Sequence, residues 1–230
     1  MVVSPAVALL IQHPTLGNIL YDTGNSADFL KTYTPEMLHN YPITEMITIE
    51  EALAKEGLTP GDIDQLILSP LHFDHAGGLQ HFVGTKASDH VLVSEADLKQ
   101  AWCAVTTGNN GAYIRSLFDV EGIRFETIHD TTWLADDLGL FIQASHTPGV
   151  IGLILKTEHH GTILTTSDAI YTADSYRQAL PPGGTINATT DEFYDNLARI
   201  KAMEKNYNAT LLFGHDIDQI LDWAGQGVID

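Results

Sequence analysis

Four apolar, strand-like runs of this sequence each end at a histidine or an aspartate. The runs are residues 63–69, 139–145, 162–166 and 210–213. The side chains that follow them are, in the same order, His72, Asp74 and His75; His146; Asp168; and His215. Loops at one edge of a sheet carry the functional groups of many folds, so we expect these six side chains to lie close together. The pattern predicts a sheet core with a polar site at the ends of its strands.

The first of these loops has the clearest chemical character. It places two imidazoles and a carboxylate within four residues, at His72, Asp74 and His75. Imidazole and carboxylate groups are the usual ligands of a hydrolytic zinc ion. With the three later side chains, the chain offers four histidines and two aspartates, about the number that two zinc ions with a shared carboxylate need. Taken alone, His146 and His215 could be satisfied polar residues, and Asp168 could be a simple turn cap.

Other patterns predict the elements between these loops. Residues 2–11 and 18–22 are β-prone on either side of a Pro- and Gly-containing turn, which predicts a hairpin. Thr48 and Glu51 have the spacing of a capping box, and Thr189 and Glu192 repeat it before a longer helix. Residues 25–47, which contain two prolines, predict an irregular segment that forms an ordered lid or a pocket wall. A polar, Gly- and Asn-rich stretch predicts a seam between two pseudo-symmetric halves of one 230-residue domain, near residues 105–122.

Composition excludes several functions. Eleven basic residues against thirty acidic ones give a formal net charge of −19, which disfavours nucleic acid and anionic membrane surfaces as partners. No apolar run approaches the ~18 residues of a membrane-spanning helix. Residues 1–20 lack the pattern of a signal peptide. The single Cys103 rules out an internal disulfide and favours a cytoplasmic location.

Five motifs occur in an order that points to a known family. They are Asp22-Thr23-Gly24, the segment Leu71–Gly78, the turn His146–Gly149, the pair Asp168 and Tyr171 at Asp-x-x-Tyr spacing, and Phe213–Gln219. With these motifs the chain resembles the metallo-β-lactamase superfamily, and within it the N-acyl-homoserine lactonases. The resemblance implies an α/β fold, a four-layered αββα sandwich. Asp22 is then expected to fix local hydrogen bonds.

The resemblance also implies roles for the candidate site residues. His72 and His146 would bind a first zinc ion, and Asp74, His75 and His215 a second. Asp168 would bridge the two ions. Tyr171 would donate a hydrogen bond to the substrate carbonyl, and Asp74 would relay a proton. The implied reaction opens a lactone or related ester by attack of a metal-bound hydroxide.

One residue departs from the family pattern. Pro70 occupies the position of the first histidine of the metal-binding motif, so one ligand of the first ion is missing. We therefore expect one or two zinc ions, with the second site, formed by Asp74, His75, Asp168 and His215, the tighter. A thioesterase of the glyoxalase type, another carboxylic-ester hydrolase, and a degenerate scaffold with little activity are the alternatives. The chain is expected to be a monomer or a homodimer.

Two groups of residues outside the metal motifs have open roles. The first is a set of apolar side chains that could line an acyl pocket or pack the lid: Phe29, Tyr33, Met37, Leu38, Tyr113, Leu117 and Phe118. We favour the pocket. The second consists of the remaining histidines, which lack partners in the sequence and are interpreted as structural, with His159 and His160 in an exposed turn.

Overall fold

The structure is a computed structural model that describes residues 3–182 and 190–230. Val2 and Thr189, which we predicted in a strand and a helix cap, lie outside the described residues. The chain divides into two compact units. The N-terminal unit comprises Ala6–Val93 and Ala101–Thr127, and the C-terminal unit comprises Met1–Pro5, Ser94–Gln100 and Ile128–Asp230. The predicted single domain with a seam near residues 105–122 stays a prediction.

The N-terminal unit is built on a five-stranded mixed sheet. Its strands, in spatial order, are β1 (Leu9–His13), β2 (Gly17–Tyr21), β3 (Gln65–Ile67), β4 (Val91–Ser94) and β5 (Phe125–Ile128). β1 and β2 pair antiparallel, which confirms the predicted hairpin, although β1 begins later than the β-prone run. β2, β3 and β4 run parallel, so the loops that follow β2 and β3 leave the same edge of the sheet.

Four helices belong to this unit: α1 (Phe29–Thr32), α2 (Pro35–Asn40), α3 (Ile49–Lys55) and α5 (Arg115–Phe118). Another helix, α4 (Glu95–Thr107), begins in the C-terminal unit and ends in the N-terminal one. The capping box of Thr48 and Glu51 is confirmed at the start of α3, whose inner face buries Ile49 and Leu53. The prediction of an irregular segment over residues 25–47 is wrong in part, because α1 and α2 lie there. Pro35 starts α2 instead of preventing it, since the first helical position needs no N–H donor.

Apolar side chains of the predicted lid form a small core of their own. Tyr33, Phe73 and Leu117 are buried together, and Phe29, Met37 and Leu38 pack against them. The rings of Tyr33 and Phe73 meet edge to face with centroids 4.9 Å apart, an arrangement that stabilises aromatic pairs. This packing corresponds to the alternative role of these residues, that of holding the lid, and the pocket role stays a prediction.

The C-terminal unit carries the second five-stranded sheet. Its strands are β6 (Thr132–Ala135), β7 (Leu138–Gln143), β8 (Val150–Lys156), β9 (Thr162–Ser167) and β10 (Thr210–Phe213), in the reverse spatial order. β6 to β9 form an antiparallel meander, and β10 pairs parallel with β9. The strand ends that precede Asp168 and His215 therefore lie side by side at one edge of this sheet.

Helices α6 (Ala173–Gln178), α7 (Thr190–Tyr207) and α8 (Ile217–Gln226) belong to the same unit. The inner face of α7 buries Phe193, Leu197 and Ile200 against Phe141 of β7 and the neighbouring strands. Each fully buried side chain of this kind contributes about 1.5–3 kcal/mol through the hydrophobic effect. This cluster fixes β9 and β10, and with them the two loops that follow.

No helix among residues 3–182 and 190–230 combines the length and the apolar character that crossing a membrane requires.

Candidate metal centre

The loop after β3 carries the three candidate ligands of the N-terminal unit. His72 and His75 are buried, and Asp74 is partly buried. The loop is tied to the end of β2, because Thr23 N donates to the carbonyl oxygen of His75 at 2.7 Å. Close packing requires glycine at position 77, where an added Cβ atom would lie 2.3 Å from Ser26 N. The fold therefore holds this histidine-rich loop against the strand before it.

Asp22 fixes the orientation of His75. Its Oδ2 atom lies 2.8 Å from Nδ1 of His75, and its Oδ1 atom accepts a hydrogen bond from Ser69 N at 2.7 Å. Burial raises the pKa of Asp22, while the hydrogen bonds and charge of His75 and Ser69 oppose that rise. The expectation that Asp22 fixes local hydrogen bonds is confirmed. Since a carboxylate accepts, this contact favours the proton on Nδ1 of His75, and Nε2 lies 3.8 Å from Oδ1 of Asp74.

His72 and Pro70 complete this loop. The imidazole of His72 meets the ring of Tyr113 edge to face, with centroids 4.4 Å apart. Pro70 is buried two residues earlier and has no side-chain atom that can bind a metal.

The C-terminal unit brings three of the predicted ligands into one cluster. Oδ2 of Asp168 lies 2.9 Å from Nε2 of His146, and Oδ1 lies 2.8 Å from Nε2 of His215. All three side chains are buried. Each oxygen of the Asp168 carboxylate therefore lies beside the Nε2 atom of a different histidine.

The outer nitrogens of both histidines are also held. Nδ1 of His146 lies 3.2 Å from the hydroxyl of Tyr171, and Nδ1 of His215 lies 2.8 Å from the carbonyl oxygen of Pro5. The ring of Tyr171 contacts His215 edge to face, with centroids 4.8 Å apart. The sequence identified Tyr171 but not Pro5, because any residue offers a backbone carbonyl and no residue type marks it.

The turn that follows His146 is packed against the start of α4. A Cβ atom added to Gly149 would lie 2.0 Å from Ser94 Oγ and 2.9 Å from Asp97 N. Ser94 and Asp97 are both buried. Glycine at position 149 therefore lets the backbone after His146 approach the helix.

The remaining histidines lie elsewhere. His90 and His129 contact Glu126 and Glu95 at 2.9 Å, with more than half of each imidazole exposed. His159 and His160 form an exposed turn between β8 and β9, as predicted.

The donors of the loop after β3 and of the cluster around Asp168 fit zinc. Each set combines imidazole nitrogens with carboxylate oxygens, the ligand types of catalytic zinc sites. Nδ1 is in contact with a hydrogen-bonding group in three of the histidines. The group is a carboxylate for His75, a hydroxyl for His146 and a backbone carbonyl for His215. Such outer contacts orient metal-binding histidines in proteins.

Comparison with known proteins agrees with this chemistry. An N-acyl homoserine lactonase from a Bacillus species is 28% identical over 210 residues, covering 88% of this chain and 78% of its own. The N-acyl homoserine lactonase AiiB of Agrobacterium fabrum strain C58 is 28% identical over 233 residues, covering 94% of this chain and 80% of its own.

Solved structures give the same result for the fold. An N-acyl homoserine lactone hydrolase with N-hexanoyl-L-homoserine at its catalytic metal centre superimposes with a TM-score of 0.77 at 25% identity. The match covers 95% of this chain and 84% of that one. It confirms the predicted α/β fold class. The sequence profile of the metallo-beta-lactamase superfamily matches residues 2–215. The chain therefore belongs to the metallo-beta-lactamase superfamily.

Proposed function

We propose that this chain is a zinc-dependent hydrolase that opens a lactone, with an N-acyl homoserine lactone as the favoured substrate. The observation that carries the proposal is the cluster in which Asp168 faces Nε2 of His146 and of His215, with the Tyr171 hydroxyl beside it. The relatives named above are lactonases, and the product of lactone opening lies at the metal centre of one of them. Both facts support the choice of substrate.

The proposed ligands form two groups that share one carboxylate. From the order of the motifs in the sequence, His72, His146 and Asp168 would hold one ion. Asp74, His75 and His215 would hold the other, with Asp168 bridging the two. Such a pair is supported by one structural neighbour, AidC, which is a dizinc lactonase and shares the fold at 16% identity.

Zinc would activate a water molecule and polarise the ester carbonyl. The chain's own residues position and move protons around that reaction. Tyr171 directs its hydroxyl toward the substrate carbonyl, where a preorganised donor is commonly worth about 3 kcal/mol in the transition state. Asp74, which is partly exposed, takes the proton of the attacking water and returns it to the leaving alkoxide.

With Pro70 in place of a histidine, the two proposed zinc sites have different numbers of protein ligands. The proposed group that contains His72 has three protein ligands, whereas the proposed group that contains His75 has four when Asp168 is included. Three protein ligands and a water still form a catalytic zinc shell. We propose that the second group binds zinc more tightly and that the first limits turnover.

The exposed, unpaired Cys103 supports a cytoplasmic location.

Metal analysis followed by a hydrolysis panel tests the proposal. Purified protein is assayed with and without added zinc on an N-acyl homoserine lactone, a plain lactone, an acyclic ester and a thioester. We expect bound zinc, and the fastest turnover on the acyl homoserine lactone. Asp168→Asn should lose both zinc and activity, whereas the exposed Asp28→Asn should keep both.

Other results of the panel point elsewhere. Faster turnover of the thioester would favour a glyoxalase-type thioesterase, and faster turnover of the acyclic ester another ester hydrolase. A protein that takes up no zinc and hydrolyses nothing in the panel is a degenerate scaffold.

A further inference from the structure

The last two residues of β9 leave the regular ladder that joins this strand to β10. One residue of β10 faces Thr165 and the next one faces Ser167, so Thr166 is an extra residue on β9. Such an irregularity is a β-bulge, which bends a strand and re-aims the side chains near it. Asp168 is the first residue after β9. The direction of its carboxylate therefore depends on how the bulge is held.

Thr166 closes the chain around Asp168 with two hydrogen bonds. Its carbonyl oxygen accepts from Ala169 N at 3.1 Å, and its hydroxyl donates to the carbonyl oxygen of Ile170 at 2.9 Å. Thr166 is fully buried, so water cannot replace either bond if it is lost. A single residue thus fixes the backbone beyond Asp168 at two successive positions.

The same residue is tied to β7 and to β10. Nε2 of Gln143, at the end of β7, donates to the carbonyl oxygen of Thr166 at 3.0 Å. The hydroxyl of Thr166 also lies 3.4 Å from the carbonyl oxygen of Leu212 on β10. These two strands precede His146 and His215, the histidines that the carboxylate beyond the bulge contacts. Thr166 therefore connects the ends of all three strands that lead to the cluster.

Backbone strain follows the bulge directly. Ser167 has a φ of 44°, in the left-handed region that residues other than glycine rarely adopt. Its carbonyl oxygen is packed against Gly214, where an added Cβ atom would lie 2.5 Å from that oxygen. A residue keeps such a conformation only where the surrounding contacts enforce it, and residues of this kind cluster at functional sites. The bonds of Thr166 close the turn that contains Ser167 and are among these contacts.

We propose that Thr166 is a positioning residue for Asp168: its hydroxyl and carbonyl hold the turn that directs the carboxylate at His146 and His215. In this arrangement the two carboxylate oxygens lie 2.9 and 2.8 Å from the Nε2 atoms of these histidines. Without the hydroxyl, the carbonyl of Ile170 loses its donor and the strained turn relaxes, so the carboxylate moves away from at least one histidine. The effect on zinc rests on the proposed function, whereas the effect on the carboxylate does not.

Crystal structures of two metal-free valine variants test the geometry. Thr166→Val keeps the shape of the side chain and removes the hydroxyl. Thr165→Val is the matched control, because the hydroxyl of Thr165 is also buried but accepts from Leu153 N on β8, at 2.8 Å. We expect at least one contact of Asp168 to lengthen beyond about 3.5 Å, the limit of a hydrogen bond, in Thr166→Val alone. An unmoved carboxylate in Thr166→Val, or an equal shift in Thr165→Val, would overturn the proposal.

Zinc affinity and thermal stability separate positioning from general support of the fold. Both valine variants lose one buried hydroxyl contact, so the Tm of both metal-free variants should fall. Only Thr166→Val should also lose zinc affinity, by about 10-fold or more, as when other outer contacts of metal ligands are removed. Competition with a chromophoric chelator measures this affinity. Equal zinc affinities in the two variants would contradict the positioning role.

Thr166→Ser retains the hydroxyl and should retain both the contacts of Asp168 and the zinc affinity of the wild type. If Thr166→Val does not fold, this variant decides the question, because wild-type contacts support the role of the hydroxyl and a displaced carboxylate contradicts it. If the wild-type chain binds no zinc, the proposed function fails, and the metal-free crystal structures still decide the role of Thr166.

Discussion

Three histidines of the candidate metal centre are each held at Nδ1 by a different chemical group. A carboxylate holds His75, a backbone carbonyl holds His215, and a hydroxyl holds His146. The first two groups only accept and leave a single tautomer for a neutral ring that binds metal through Nε2. The third, a hydroxyl, can accept or donate and does not by itself select a tautomer. At the scale of single residues, the outer contacts of His75 and His215 thus select one tautomer of each candidate ligand.

Asp22 is the strongest of these holding groups, and its loss should show in metal affinity. Asp22→Asn keeps the size of the side chain but replaces the charged acceptor of His75 with a neutral amide. We expect zinc affinity to fall about 10- to 100-fold, the usual effect of losing such a contact. Chelator competition measures this, with Asp28→Asn as the control. Equal affinities in Asp22→Asn and the wild type would show that His75 does not bind zinc.

Pro70 permits a test in the opposite direction. Pro70→His restores an imidazole to the position that the family pattern assigns to a ligand. We expect zinc content per chain and the rate of lactone hydrolysis to rise together, with the change confined to the more weakly bound ion. Metal analysis after dialysis against a limited zinc concentration measures the first quantity. Pro70→Ala, which adds no donor, should leave zinc content unchanged, and an equal gain in both variants would place Pro70 away from a ligand position.

Within the C-terminal unit, the proximity of three candidate ligands was predictable because each one follows a strand, and the structure brings Asp168 together with His146 and His215. Their role as ligands stays a prediction. The groups that hold them were less predictable. The carbonyl of Pro5 meets His215 across 210 residues of sequence, and a backbone oxygen leaves no mark in residue type. The contact between the Tyr171 hydroxyl and Nδ1 of His146 was not predicted, because the spacing of residues in a sequence does not orient a hydroxyl.

At the scale of elements, Gly149 connects the His146 loop to α4. Gly149→Ala would place a methyl group 2.0 Å from Ser94 Oγ, so the loop or the helix must shift. We expect the free energy of unfolding to fall by about 1–3 kcal/mol, as in other overpacked sites. Chemical denaturation measures the loss. The control is Gly225→Ala on α8, where an added Cβ atom would have no neighbour within 4 Å, so this change should be neutral or stabilising. Equal effects of the two changes on the free energy of unfolding would contradict the packing argument.

The capping box of α3 predicts a pH dependence of stability. Hydrogen bonds from Thr48 lower the pKa of Glu51 below its ordinary value of 4.5. The ionised carboxylate therefore favours the folded chain at pH above 4.5, and this contribution is lost as the pH falls through the lower, folded pKa. Glu51→Ala should thus be less stable than the wild type at pH 7, and the difference should shrink at acid pH.

Denaturation series at several pH values measure that difference. Glu158→Ala, a change in the exposed β8–β9 turn, is the control and should show no comparable pH-dependent loss. A constant difference between Glu51→Ala and the wild type from neutral to acid pH would contradict the role of the charge.

Elements with a strong local signal were predicted well. β10 occupies the predicted residues 210–213, and α3 begins at its predicted capping box. The strand β6 was missed because it pairs on one side only and is mostly not fully buried, so its sequence lacks a continuous apolar run. α8 was missed because it has no fully buried residue and includes Gly225, a residue that weakens helices.

At the scale of the whole molecule, both the net charge and any bound metal ion affect stability. The net charge of −19 repels acidic polymers and attracts cations in general, so an increase in stability on adding a metal is not by itself evidence of a site. A specific zinc site must act through its particular ligands. Ligand identity therefore has to be separated from bulk charge in any measurement of metal-dependent stability.

Thermal and chemical unfolding with defined free zinc make this separation. An ion that binds only the folded chain raises the free energy of unfolding by about 2.7 kcal/mol at a free concentration 100 times its Kd. We expect zinc to do so in the wild type and Mg²⁺, which prefers oxygen ligands, to have little effect at the same concentration. His146→Gln leaves the formal net charge unchanged when histidine is neutral and should lose part of the zinc effect, whereas His129→Gln, a change at an exposed histidine, should retain all of it. Equal stabilisation of both variants by zinc would attribute the effect to surface charge and remove the main support for a metal centre at His146.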